Sequence, residues 1–279
     1  MSARSIELLL VGIGTGDPDH LTLGAVKALK SADLILVPLK GEDKAELAQV
    51  RHAILAEHVP SPPARIVSFE MPVRDAADPD YVGGVERWHD AIAQQWRLVI
   101  ETHLADQGGR VALLVWGDPS LYDSTLRIAG RLEAVLPLSV RVIPGLTSLQ
   151  MLTAAHAMAL NEIGDSVLIT TGRQLREQGW PKGVRTLAVM LDGQTSFETV
   201  APEHVFIWWG AYLGLPQQMI VSGPLAQAGG RIVEARRAAR ARHGWIMDIY
   251  LLRRASQDQR TLRAGLETDS PIRLIQPDR

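Results

Sequence analysis

Residues 12–18 read Gly12-Ile13-Gly14-Thr15-Gly16-Asp17-Pro18, and they close an apolar run, 6–13, that only Glu7 and Gly12 interrupt. A strand that is apolar almost without a break is covered on both faces, as the strands of a parallel sheet are. Helical periodicity over 21–30 follows the turn. The same order of apolar run, glycine-bearing turn and helix returns twice. Residues 111–116 lead into Trp116-Gly117-Asp118-Pro119-Ser120-Leu121-Tyr122, and 140–143 lead into Pro144-Gly145-Leu146-Thr147-Ser148. With a further strand at 34–39, this alternation predicts an α/β fold whose first half is a parallel sheet covered by helices on both faces.

The rest of the chain fits around these units. Residues 43–58 read as a helix and 60–79, rich in proline, as a long surface connection. Val85, Trp88, Ile92, Trp96 and Val99 form one apolar helical stripe. The second half offers strands at 167–171, 186–191, 205–209 and 245–252, with shorter helices and a basic helix at 232–243. It reads as a second α/β domain with a mixed sheet. The boundary is expected near Asn161, after an apolar helix at 149–160, giving domains 1–160 and 161–279.

Composition removes several classes of function. With 46% hydrophobic and 22% charged residues, the 279-residue chain has the make-up of a soluble globular protein. No apolar run approaches the ~18 residues that span a bilayer, and no signal-peptide layout precedes the first strand. The expectation is a cytoplasmic protein without a membrane partner. The absence of cysteine excludes disulfides, thiolate nucleophiles and cysteine-ligated metals. No two of the eight histidines have the spacing of a zinc motif, so no metal is expected. A net charge of −2 gives no general attraction for nucleic acid.

In an open α/β sheet, ligands bind at the carboxyl edge of the strands. Three glycine loops at that edge outline a pocket. A dinucleotide fingerprint fails at its third glycine, where Asp17 stands, and no Gly-Lys-Ser/Thr follows for a nucleoside triphosphate. Carboxylates at Asp17 and Asp118 suit a pyrophosphate poorly, because anions favour bare helix N-termini and cations. They suit a ligand with ammonium, hydroxyl or sulfonium groups, such as S-adenosylmethionine. The plainer reading is that both aspartates cap helices that begin with proline.

The segment Val11-Gly-Ile-Gly-Thr-Gly-Asp-Pro-Asp-His-Leu-Thr-Leu, the Gly117-Asp118-Pro119 turn with Tyr122, and the Pro144–Ser148 loop resemble, in order and spacing, the motifs of the tetrapyrrole (precorrin) methylase family. The resemblance runs through nearly the whole chain. It implies a two-domain α/β fold, with S-adenosylmethionine in the cleft between domains, and a homodimer. Most members carry proline where Thr15 stands. One branch carries Gly-Thr-Gly, and the chain also resembles that branch at Pro38-Leu-Lys-Gly-Glu-Asp-Lys-Ala-Glu-Leu, Glu86-Arg-Trp-His and Trp208-Trp-Gly-Ala-Tyr-Leu-Gly. The branch implies C-methylation of precorrin-5 at ring carbon 1 with loss of an acetyl group as acetate. The alternatives are a methylase of another precorrin or of the diphthamide type, an NAD(P)-dependent oxidoreductase, or a binding module that sequesters a tetrapyrrole.

By this resemblance Gly14, Thr15, Gly16, Trp116, Gly117, Asp118 and Leu121 hold the cofactor together with Thr147 and Ser148. Met190 packs on its adenine, and Gly210, Ala211 and Leu213 close that pocket. Without the resemblance, Met190 reads as a core methionine and Thr147-Ser148 as a helix start. The substrate is a polycarboxylate macrocycle, for which arginine is the natural partner. Arg173 and Arg127 are the candidates, with Tyr212 stacking on the ring. The cluster Arg231, Arg236, Arg237 and Arg240 reads first as a solvated helix face, and Trp208 and Trp209 as either core or ring contacts. The sulfonium is the electrophile, so methyl transfer needs positioning rather than a protein nucleophile. Deacetylation needs water added to a ketone, for which Asp118, Tyr122 and Asp17 are the candidate catalytic groups, with His156 next.

Overall fold

The computed structural model describes residues 5–39, 45–60, 64–75, 80–104 and 107–255. The resemblance at Lys40–Lys44 lies outside them, as do the first two residues of the helix expected from Asp43. The chain divides into two units, Met1–Thr147 and Ser148–Arg279.

The first unit holds strands β1 (Ile6–Gly12), β2 (Leu34–Leu39), β3 (Arg65–Glu70), β4 (Gly109–Val115) and β5 (Leu138–Ile143). They form one sheet of order β3-β2-β4-β1-β5, parallel throughout. Side chains of a strand alternate between faces, and β1 divides its residues between two cores. Leu8 and Leu10 join the cluster under α3 (Tyr81–Leu104) and α4 (Thr125–Glu133). Leu9 and Val11 join the cluster under α1 (Leu23–Lys30) and α2 (Ala45–His58). Ile92, Trp96 and Val99 of the predicted stripe on α3 are buried. The strands β4, β1 and β5 are neighbours, so the three glycine loops leave adjacent positions on one carboxyl edge.

The second unit has a mixed sheet, as expected. Its strands are β6 (Val167–Thr171), β7 (Thr186–Met190), β8 (Val205–Ala211), β9 (Met219–Pro224) and β10 (Asp248–Arg254), in the order β6-β7-β10-β8-β9. Only β6 and β7 pair in parallel. Because β10 runs antiparallel to both β7 and β8, the carboxyl ends of β6, β7 and β8 share one edge. The helices are α5 (Ser148–Ala155), α6 (Gly172–Gln178) and α7 (Leu225–His243).

The division falls before α5 rather than near Asn161, because α5 packs on the second unit's sheet. Leu152 is fully buried there, against Gly210. The helix also ends at Ala155 rather than running to residue 160. Two strands escaped the sequence reading. β3 lies within the stretch read as a surface connection, and β9 had no counterpart. Both are edge strands with half-exposed residues, so neither shows a continuous apolar run.

The second unit is organised around a buried ionic cluster. Arg236 on α7 is buried, and its Nε–H and an Nη2–H donate to the Asp248 carboxylate at 2.7 and 3.2 Å. Nη2 also donates to the Asp192 carbonyl at 2.5 Å, and Trp209 Nε1–H donates to Asp248 Oδ2 at 2.7 Å. Arg236 is therefore a core ion-pair partner, whereas Arg237 and Arg240 of the same helix face solvent.

Candidate active site

The three loops of the first unit are tied together by their backbones. Gly117 N–H donates to the Gly14 carbonyl at 2.7 Å and Gly14 N–H to the Gly117 carbonyl at 3.3 Å, which zips the first loop to the second. The third loop lies equally close. A methyl group at Gly12 would stand 2.6 Å from Gly145 N, and one at Gly145 would stand 2.3 Å from the Gly117 carbonyl oxygen. Only hydrogen at both positions lets these backbones touch. The φ of +68° at Gly117 is the left-handed turn by which the chain leaves β4.

Asp118 links the second loop to the third. Its Oδ2 accepts from Gly145 N–H at 2.9 Å, and its Oδ1 accepts from Ser120 N–H at 2.8 Å and from the Ser120 hydroxyl. Burial pushes the carboxyl up, but the bonds from the Ser120 hydroxyl, Gly145 N–H and Ser120 N–H outweigh it and hold the group below its ordinary value. Asp118 is thus neither a helix cap, since α4 begins only at Thr125, nor a free base, since both oxygens are engaged. Asp17 does cap a helical turn as expected. Its Oδ1 accepts from Asp19 N–H at 2.9 Å ahead of the 3-10 turn Pro18–His20. Tyr122 is 42% exposed with φ +50°, and its partial burial pushes its hydroxyl up, so it keeps its proton at neutral pH.

Thr15 is 4% exposed, and its hydroxyl has no hydrogen-bond partner among the described residues. A buried hydroxyl left so is costly unless something else satisfies it. Gly16 beside it is buried, Trp116 and Leu121 are half-buried, and Thr147 immediately precedes α5, whose first residue is Ser148. Arg127 is exposed on the first turn of α4, where an Nη1–H donates to the Asp123 carbonyl at 3.2 Å.

Two supports were not legible beforehand. Arg51 on α2 is buried with its guanidinium 5.9 Å from the Trp116 ring centroid. It donates to the carbonyls of Leu114 at 3.3 Å and Leu47 at 2.8 Å. Burial lowers its pKa to about 10, with Asp123 opposing, so it remains a cation. Thr22 caps α1 by accepting from Ala25 N–H and donates to the Pro144 carbonyl at 3.4 Å, which steadies the third loop. The available signal for Arg51 was its place on the apolar stripe of Ala48, Ile54 and Leu55.

In the second unit the remaining candidates gather on the shared edge of β6, β7 and β8. Met190 ends β7 half-buried, Arg173 is exposed at the start of α6, and Gly210 and Ala211 end β8. Gly210 packs under Leu213, whose Cδ2 would be 2.7 Å from a Cβ there. Leu213 is itself buried. Tyr212 corrects the expectation of a ring-stacking residue. It is 2% exposed, its hydroxyl donates to the Trp245 carbonyl at 2.5 Å, and its ring packs edge-on against Trp245 and His243. It anchors the turn that follows β8. Trp209 is likewise core, and His156 donates from Nε2 to the Trp209 carbonyl at 3.0 Å. Burial lowers the His156 pKa against that bond, so the ring stays neutral and occupied.

A parallel sheet with three interlocked glycine loops at its carboxyl edge, followed by a five-stranded mixed sheet, is the architecture that the comparisons with known proteins place. The model for Tetrapyrrole (Corrin/Porphyrin) Methylases matches residues 7–229, and the chain belongs to that family of methyltransferases. Among its relatives, the Precorrin-6A synthase [deacetylating] of Sinorhizobium sp is 46% identical over 252 residues, covering 90% of this chain and 96% of that protein. The crystal structure of a cobalamin synthesis related protein (CobF) from Corynebacterium diphtheriae superposes with a TM-score of 0.78 at 40% identity, covering 90% of this chain and 100% of that one. The uroporphyrin-III C-methyl transferase of Thermus thermophilus, complexed with S-adenosylhomocysteine, shares the fold with a TM-score of 0.54 at 20% identity, covering 95% and 97%.

Proposed function

We propose that the chain methylates precorrin-5 at ring carbon 1 with S-adenosylmethionine and releases the acetyl group as acetate, giving precorrin-6A in cobalamin biosynthesis. The single observation that carries this reading is the 46% identity, over 90% of the chain, with a deacetylating precorrin-6A synthase. The first unit's edge fits the cofactor chemically. It offers close approach to backbone without side chains at Gly14, Gly16 and Gly117, an unsatisfied Thr15 hydroxyl, a fixed carboxylate and no uncommitted guanidinium beneath Trp116. When bound, the sulfonium supplies the methyl electrophile.

The protein's own work is positioning. The Gly14–Gly117 zipper and the Asp118–Gly145 bond hold three loops at fixed spacing, and rigidity of that kind is what brings a bound methyl group in line with a carbon nucleophile. Thr15, Trp116, Leu121, Thr147 and Ser148 line the cofactor in this reading. Met190, Gly210, Ala211 and Leu213 serve its adenine, and Arg173 and Arg127 serve substrate carboxylates. Tyr122, with its proton retained, is suited to donate a hydrogen bond to the ketone that water attacks. We read the protein as a cytoplasmic homodimer, which light scattering would register as twice the chain mass.

S-adenosylhomocysteine is expected to raise the melting temperature and NADH to leave it unmoved. The reverse pattern would favour the oxidoreductase reading. Asp118→Ala is expected to weaken S-adenosylhomocysteine binding at least about tenfold, because it strands Gly145 N–H and frees the third loop. Unchanged affinity in calorimetry on a folded variant would refute the loop-tie role. The linkage has a defined sign. A carboxyl held low in the folded state stabilises it above the ordinary carboxylate range, and that contribution fades as pH falls through the lowered value. The Asp118 contribution to stability should accordingly be flat at neutral pH and fade only in strong acid, which melting temperatures across pH would register.

A further inference from the structure

Leu191, the residue after β7, is 66% exposed and has a left-handed backbone with φ +53°. Leucine rarely adopts that conformation, and an isolated apolar side chain gains nothing by facing water. The next residue enforces it. Asp192 is 5% exposed. Its Oδ1 accepts from Gln194 N–H at 3.0 Å, Ser196 hydroxyl at 2.7 Å and Arg176 Nη1–H at 3.3 Å. Its Oδ2 accepts from Ser196 N–H at 2.6 Å and Tyr250 hydroxyl at 2.7 Å, and its carbonyl accepts from Arg236 at 2.5 Å. Gly172 makes room for this carboxylate, since a Cβ there would lie 2.3 Å from Oδ1. Burial pushes the carboxyl up, but bonds from Ser196, Tyr250 and Gln194 hold it below its ordinary value, so it stays an acceptor for all of them. Elements α6, β10 and the following turn thus converge on the Asp192 side chain and α7 on its carbonyl, and the result is to hold Leu191 outward.

A cation lies past the same edge. Thr171 of β6 pairs with Met190 of β7, so Leu191 and the exposed Arg173 both lie just past the ends of two paired strands. An exposed apolar side chain and a guanidinium past the same strand ends suit a flat conjugated ring that carries carboxylates. We propose that Leu191 is a substrate-binding residue that packs on the face of a polycarboxylate tetrapyrrole, that Arg173 meets its carboxylates, and that Asp192 is the positioning residue that presents Leu191. This rests on the function proposed above and adds the residue that contacts the macrocycle face.

The test uses the full chain and uroporphyrin III, read by fluorescence quenching, beside calorimetry with S-adenosylhomocysteine. Leu191→Gly removes the side chain and relieves the positive φ, so its melting temperature should equal or exceed that of the parent. Its affinity for the porphyrin should fall about fivefold, with S-adenosylhomocysteine affinity kept within about twofold. Leu191→Met should restore porphyrin binding, and Tyr250→Phe, which takes one donor from Asp192, should weaken it in a folded protein. A merely structural residue would instead move melting temperature and both ligands together. Unchanged porphyrin affinity in Leu191→Gly, a loss confined to S-adenosylhomocysteine, or a parent protein that binds no porphyrin would each overturn the assignment. A parent that binds porphyrin through Leu191 yet transfers no methyl group would leave the assignment standing and defeat the proposed reaction instead.

Discussion

Gly145→Ala is expected to abolish measurable S-adenosylhomocysteine binding and to cost about 3 kcal/mol of stability. The added carbon would sit 2.3 Å from the Gly117 carbonyl oxygen and 2.7 and 2.8 Å from Gly12 C and Cα, and all three are backbone atoms. No rotamer change relieves such a clash. The third loop must instead withdraw, and it can do so only by giving up the Gly145 N–H bond to Asp118 or by prising Gly117 from Gly14. The same substitution at Gly130, in the interior of α4 with nothing within 4 Å, is the control. There alanine should stabilise by about 0.5–1 kcal/mol through helix propensity alone. Denaturant melts and calorimetry on the two variants make the comparison. A Gly145→Ala protein with parental stability and affinity would show that the three loops are not interlocked.

Arg236→Met carries the second large effect, an expected loss of about 3–5 kcal/mol. Methionine fills the space of the arginine stem but leaves Asp248 buried with Trp209 Nε1–H as its remaining donor among the described residues, and the Asp192 carbonyl loses a bond as well. The penalty is that of an uncompensated buried charge, which gives it a pH signature. Burial pushes the Asp248 carboxyl above its ordinary value, opposed first by Arg236 and then by the Trp209 bond. Removing Arg236 removes the larger opposition. A group whose folded pKa is raised lends stability that is fully present below its unfolded pKa and is lost as pH rises through the folded value. The deficit of Arg236→Met should therefore grow from pH 5 to pH 8. Adding Asp248→Asn, which keeps an acceptor for Trp209, should recover a substantial part of it at pH 8. A deficit independent of pH would mean that packing, rather than charge, accounts for the loss.

The two cases also show what a sequence can and cannot disclose. Gly12 and Gly117 were legible because each ends a strand buried on both faces, so apolar run and turn appear side by side in the chain, and Gly145 because the edge strand β5 still ends in a largely apolar run, 140–143. The strands β3 and β9 were not, because at a sheet edge half the residues meet water and the apolar signal thins. Asp118 was legible as a site residue but not in its role. Its partner Gly145 comes 27 positions later, and only the fold shows that both oxygens are engaged. Arg51 and Asp192 were missed for the same reason, since their partners Leu114 and Tyr250 lie 63 and 58 positions away. Tyr212 was misread because an aromatic after a strand end looks the same in sequence whether it faces a ligand or the core. The left-handed φ at Leu191 has no sequence signature at all.

The central claim is the reaction. Purified protein incubated with precorrin-5 and S-adenosylmethionine, with the pigment read by mass spectrometry and acetate assayed in parallel, tests it most directly. The account predicts a pigment that has gained one methyl group and lost its acetyl group, with one acetate released per turnover. Methylation without acetate would contradict the assignment to this branch, and an unmodified pigment would contradict the proposed reaction altogether.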